Sequence, residues 1–113
     1  MALIENHLYA RNFVFQAGGS AAAPGAEYDG QGLPGQFAIV ITFRNGSTGG
    51  VITVEESDVS GYAGTWGSLA TVTWMADNTK RTVKLGGTFR ILRCRISTPI
   101  TGGVVDVTGD ANL

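Results

Sequence analysis

The sequence predicts an all-β protein, a single small β-sandwich of jelly-roll-like form with about seven strands. Three observations predict it. Apolar residues recur at every second position rather than at a helical period, and β-branched and aromatic side chains dominate among them. Glycine supplies 17 of 113 residues beside only 3 prolines, with no three-residue repeat, so the glycines read as turns rather than as a collagen-like chain. With 43% apolar and 15% charged residues the chain can bury one core and lacks the composition of a disordered segment. An open sheet would leave a second apolar face wet, which favours closure into a sandwich.

The elements follow from that pattern. The domain is expected to span 10–113, after an N-terminal extension over 1–9. A first strand is predicted over 11–16, where Phe13 and Phe15 share a face. The polar, glycine-rich stretch 17–36 is too long for a hairpin turn and is expected to cross an edge or end of the domain. Residues 37–44 alternate most cleanly, with Phe37, Ile39, Ile41 and Phe43 on one face, and form the best core strand. The Asn45-Gly46 turn predicts a hairpin between that strand and 51–56. Further strands are predicted over 68–76, 81–85, 88–96 and 104–108, with Gly86-Gly87 as a turn. The segment 88–96 breaks its own alternation at Leu92. Either both of its faces are covered or a bulge lies near 90–92, and the bulge is preferred.

Charge is segregated along the chain although the net is only -1. Residues 1–79 hold seven acidic and two basic side chains, whereas 80–95 hold Lys80, Arg81, Lys84, Arg90, Arg93 and Arg95 and no acid. Arg90, Arg93 and Arg95 are candidate contacts to acidic groups of a neighbouring subunit; pairing with Glu55, Glu56 and Asp58 inside the domain would account for them as well. Specific nucleic-acid binding is not expected, because no aromatics for base stacking interleave with the arginines and the total charge is near zero.

Catalysis is not expected either. A Ser or Cys triad needs a histidine base, and the lone His7 sits near the terminus. Cys94 should point into the core, away from its flanking arginines, and one Cys with one His cannot make a zinc quartet. No cofactor is called for. The absence of a long apolar run and of a basic leader predicts no membrane span and no secretory signal. Asp58, Tyr62 and Trp66, in a glycine-bearing loop, form a candidate glycan platform; the competing reading folds Trp66 back over the open end of the core.

Three stretches carry a family resemblance. Gly50-Val-Ile-Thr-Val-Glu-Glu-Ser-Asp58, then Trp66 with Leu69-Ala-Thr-Val-Thr73, then Arg81-Thr-Val-Lys-Leu-Gly-Gly-Thr-Phe-Arg-Ile-Leu-Arg-Cys-Arg95, resemble the small β-sandwich virion proteins of tailed bacteriophages. Within that group the size is most like a head decoration, or cement, protein. The resemblance implies a non-enzymatic structural protein on the capsid surface of the virion, made in the host cytoplasm. It implies a partner in the major capsid protein, whose subunits it would bridge, and self-association, with a trimer by analogy. Leu3, Ile4, Leu8 and Tyr9 of the extension are then candidate partner contacts. A carbohydrate-binding module and a tail or fibre component are the alternatives.

Overall fold

A computed structural model describes residues 10–112. All of their regular structure is strand: β1 (Ala10–Gly19), β2 (Glu27–Arg44), β3 (Gly49–Ser57), β4 (Gly67–Thr73), β5 (Thr79–Thr101) and β6 (Val104–Asn112). These form one antiparallel sheet in the order β1-β6-β2-β5-β3-β4. The all-β class is as predicted. The predicted segments 81–85 and 88–96 belong to one strand, because β5 runs through Gly86-Gly87 without turning and stays paired with Gln36 and Gly35 of β2.

The sheet is curled so that its two ends share a core. The first half of β5 pairs with β2, which also pairs with β6, and the second half pairs with β3. Phe37, Ile39, Ile41 and Phe43 of β2, Val105 and Val107 of β6 and Phe15 of β1 supply one wall of the core. Ile52 and Val54 of β3, Val72 of β4 and Leu92, Cys94 and Ile96 of β5 supply the other. Phe13, Phe15, Tyr28 and Phe37 join β1 to β2 through ring contacts with centroids 4.9–6.2 Å apart. Gly109 makes room for this cluster, since a Cβ there would stand 2.7 Å from the Phe15 ring and 2.8 Å from Phe37.

Residues 20–26 close the curl. The Ile96 and Ile100 amides donate to the Ala23 and Ser20 carbonyls at 2.9 and 2.7 Å. The buried Gln16 donates from Nε2 to the Cys94 carbonyl at 2.9 Å and to Ala23 at 3.2 Å, satisfying backbone acceptors that burial would otherwise leave bare.

Three local expectations are corrected. The stretch expected as a connection over 17–36 is connection only over 20–26, and Glu27 onward is strand. The irregularity expected near 90–92 lies across the pair, in β2 between Asp29 and Leu33, where the register with β5 shifts. Ile91 and Leu92 are both buried, so both faces of β5 are covered there. The Asn45-Gly46 turn exists, with φ of 65° and 84°, the left-handed pair that Asn-Gly favours. It joins no hairpin, however, because β2 pairs with β5 and β6 while β3 pairs with β4 and β5. It is a corner between the two halves, pinned by Asp77, whose carboxylate accepts from the Gly46 and Ser47 amides at 3.0 and 2.9 Å.

Ile41 is fully buried in the middle of this core. Ile41→Ala is expected to cost about 2–5 kcal/mol, read as a lowered midpoint in chemical denaturation; an unchanged midpoint would contradict the packing.

Candidate functional site

Arg93 and Arg95 alternate with the buried Leu92, Cys94 and Ile96 on β5, so they project from the opposite, outer face. Glu55 stands across from Arg93 on β3, and Thr53 across from Arg95. The register therefore sets one carboxylate between two guanidinium groups. Glu55 Oε1 accepts from Arg93 Nε at 2.9 Å, and Oε2 accepts from Arg95 Nη2 at 2.9 Å. Arg95 Nε lies at 3.1 and 3.2 Å from the two oxygens. Glu55 is almost fully covered, with a side chain 6% exposed, against 16% for Arg93 and 39% for Arg95.

The loop 58–66 roofs this cluster. Its middle is anchored on Glu27 of β2, which accepts from Ser60 Oγ at 2.7 Å and from the Gly61 amide at 3.0 Å. Its end turns Trp66 inward, where Nε1 donates to the Tyr62 carbonyl at 2.8 Å and the centre of the indole ring lies 3.9 Å from the Arg93 guanidinium carbon. The cation over the ring is a favourable pairing in a partly dry setting. Beside the loop is an open recess of about 570 Å³ lined by Trp66, Glu55, Arg93 and Arg95 and by Ser68 and Thr71 on β4.

The sequence-derived candidates separate here. Arg93 and Arg95 come together with Trp66, which was singled out for a different reason. Arg90 lies apart, half exposed, with Asp29 at 3.6 Å. Trp66 is 6% exposed and offers no open ring for sugar stacking; it covers the outer face of the sheet rather than the open end of the core. Asp58 and the exposed Tyr62 line a second recess, of about 520 Å³, with Glu56 and Val59. Leu3, Ile4, Leu8 and Tyr9 lie outside the described residues. Glu55 and Glu27 were not singled out as the centre of a site. The hint for Glu55 was its place among the acids able to pair the arginines within the domain, and nothing in the local pattern marked Glu27.

Cys94 is fully buried in the core wall, and burial, with Glu55 nearby, pushes its thiol well above the ordinary range. Among the described residues, no three His, Cys, Asp or Glu side chains gather closely enough to hold a metal ion. The arrangement at Glu55 fixes charge and donors in space. It supplies no nucleophile with a base beside it.

Two outcomes follow from these environments. Burial raises the Glu55 carboxyl, but hydrogen bonds from Arg95 and Arg93 outweigh it and hold the group below its ordinary value of 4.5. A depressed acid contributes stability that is complete above the unfolded value and is lost as pH falls through the folded one. Glu55→Gln should therefore destabilise the protein at neutral pH, by about 3 kcal/mol if it behaves as a broken buried pair. The gap from wild type should narrow in denaturation midpoints as pH falls below that value; a gap independent of pH would contradict the pairing. Cys94 should react with an aromatic disulfide reagent only at the rate of unfolding, so fast labelling of the native protein would place it elsewhere.

No family model matches the chain, and no curated protein matches it. Among solved structures it is similar to the crystal structure of the SPBc2 prophage-derived protein YomS, with a TM-score of 0.59 and 18% identity over 91% of each chain. The two share a fold.

Proposed function

We propose that this protein is a structural component of a tailed-phage virion, acting as a head decoration protein that bridges major capsid protein subunits. The observation that carries the reading is the fold held in common with a prophage-derived protein along nine-tenths of both chains. The family resemblance of the strands around Trp66 and Arg93 points the same way. A small domain that clamps several neighbours stabilises a shell by multivalency even when each contact is weak. A rigid curled sheet suits that task, since little ordering entropy is lost on docking. Self-association, with a trimer by analogy, belongs to the same reading, as do the capsid surface as location and non-catalytic action. Contacts through the extension over 1–9 and through Arg90 complete it.

Cryo-electron microscopy of purified particles tests it directly. Density for the curled sheet is expected over joints between major capsid protein subunits, and deletion of residues 1–9 should lower its occupancy while leaving the melting curve unchanged. Density on the tail, or none on the particle, would overturn the decoration role.

A further inference from the structure

The two ends of the curled sheet are treated differently. The outer side of β1 is partly covered by the chain that follows it, through the Ala26 amide donating to the Phe15 carbonyl at 3.1 Å. β4 pairs with β3 on one side, and among the described residues no backbone pairs with its other side. Its sequence, Gly67-Ser-Leu-Ala-Thr-Val-Thr73, has no charge and no proline. Open edges are ordinarily guarded against pairing by lysine, proline or bulges. Another long open stretch shows such a guard: among the described residues β5 has no outer partner from Thr79 until β3 joins it at Ile91, and it carries Lys80, Arg81, Lys84 and Arg90 there. β4 carries no such charge; its one interruption is the register shift at Leu69, and from Ala70 to Thr73 it presents a regular, uncharged edge.

That edge borders the recess lined by Trp66, because Ser68 and Thr71 belong to both. The recess holds two guanidinium groups against one carboxylate, an excess of one positive charge. Glu55 occupies only Nε of Arg93 and Nε with Nη2 of Arg95. Both Nη atoms of Arg93 and Nη1 of Arg95 have no acceptor among the described residues. Trp66 and Glu55 hold Arg93 from two sides, so these donors are fixed before any ligand arrives.

We propose that the β4 edge and this recess together form a docking site for an extended acidic segment of a partner protein. The segment adds as a strand beside β4 and sets a carboxylate against Arg93 and Arg95. Main-chain pairing would supply affinity and the recess would select the side chain. An added strand stands about 4.8 Å from β4. The intervening Ser68 and Thr71 are small, so a Glu or Asp side chain can pass over them toward guanidinium groups that already lean toward β3. Charge selects the occupant. A second copy pairing β4 with β4 would bring two positively biased recesses side by side, whereas an acidic strand neutralises one. The site deepens the structural-protein reading by naming the chemistry of a partner, and that partner's being a virion subunit rests on that reading.

The test uses the full chain and three fluorescent peptides of about seven residues, alternating Val with Glu, Gln or Lys. Anisotropy titrations should show the Glu peptide binding at least about tenfold more tightly than the Gln peptide and the Lys peptide weakest. Amide exchange should slow across Gly67–Thr73 when the Glu peptide is bound. Thr71→Glu, at an exposed position, should abolish the preference and keep the wild-type melting curve. Arg95→Gln should weaken Glu-peptide binding about tenfold and leave the Gln peptide unaffected. Equal binding of the three peptides, no binding, or binding without protection of β4 would overturn the proposal. Protection of β4 that rises with protein concentration alone would replace the partner by a second copy. Because the chain is tested by itself, failure here leaves the virion reading standing, and absence of the protein from particles would leave the site standing.

Discussion

The antiparallel pairing of β2 with β5 is the constraint on which the remaining structure depends. It runs from Glu27 opposite Arg93 to Phe43 opposite Thr79, with a single register shift between Asp29 and Leu33. Strands of 18 and 23 residues exceed what one face of a small domain can cover, so the pair must pass from one half of the curl into the other. β6 then attaches to the second half of β2 and carries β1 on its far side, and β3 attaches to the second half of β5 and carries β4. Two short layers thus share one apolar interior without being separate sheets. The four-ring cluster and Gln16 fasten the open side, the first by apolar contact and the second by satisfying backbone acceptors in the interior.

The charged cluster on the outer face follows from the same register. Glu55 meets Arg93 because β3 pairs with β5 in that frame; a slip of one residue would turn Glu55 into the core and Val54 out. A carboxylate so thoroughly covered is costly unless paired, and two arginines supply more donors than one carboxylate consumes. The loop 58–66 makes the cost tolerable by stacking Trp66 on Arg93, and Glu27 holds that loop from another strand. Elsewhere acids are spent on architecture. Asp106 takes the Arg44 guanidinium and the Gly18 amide, and Asp77 secures the corner at Ser47, both carboxyls being held below their ordinary range chiefly by these hydrogen bonds.

The sequence by itself determined what depends on neighbours along the chain. Alternation over 37–44 placed Phe37, Ile39, Ile41 and Phe43 on one buried face, and alternation over 92–96 turned Cys94 inward, because the side-chain period of a strand is a local property. Asn45-Gly46 announced its left-handed turn for the same reason. What the turn connects was not local. Strand partners are chosen by how apolar faces close over a common core, and here that choice set β2 beside β5 and β6 rather than beside β3. Glycine and polar residues over 27–36, and Gly86-Gly87, read as loop by propensity, yet long pairing overrides propensity when both strands gain hydrogen bonds. The site was legible as separate hints, a basic run and an aromatic loop. Only the tertiary structure brought Trp66, Arg93, Arg95 and Glu55 together, because they meet across two strand pairings and a loop closure that no stretch of sequence encodes alone.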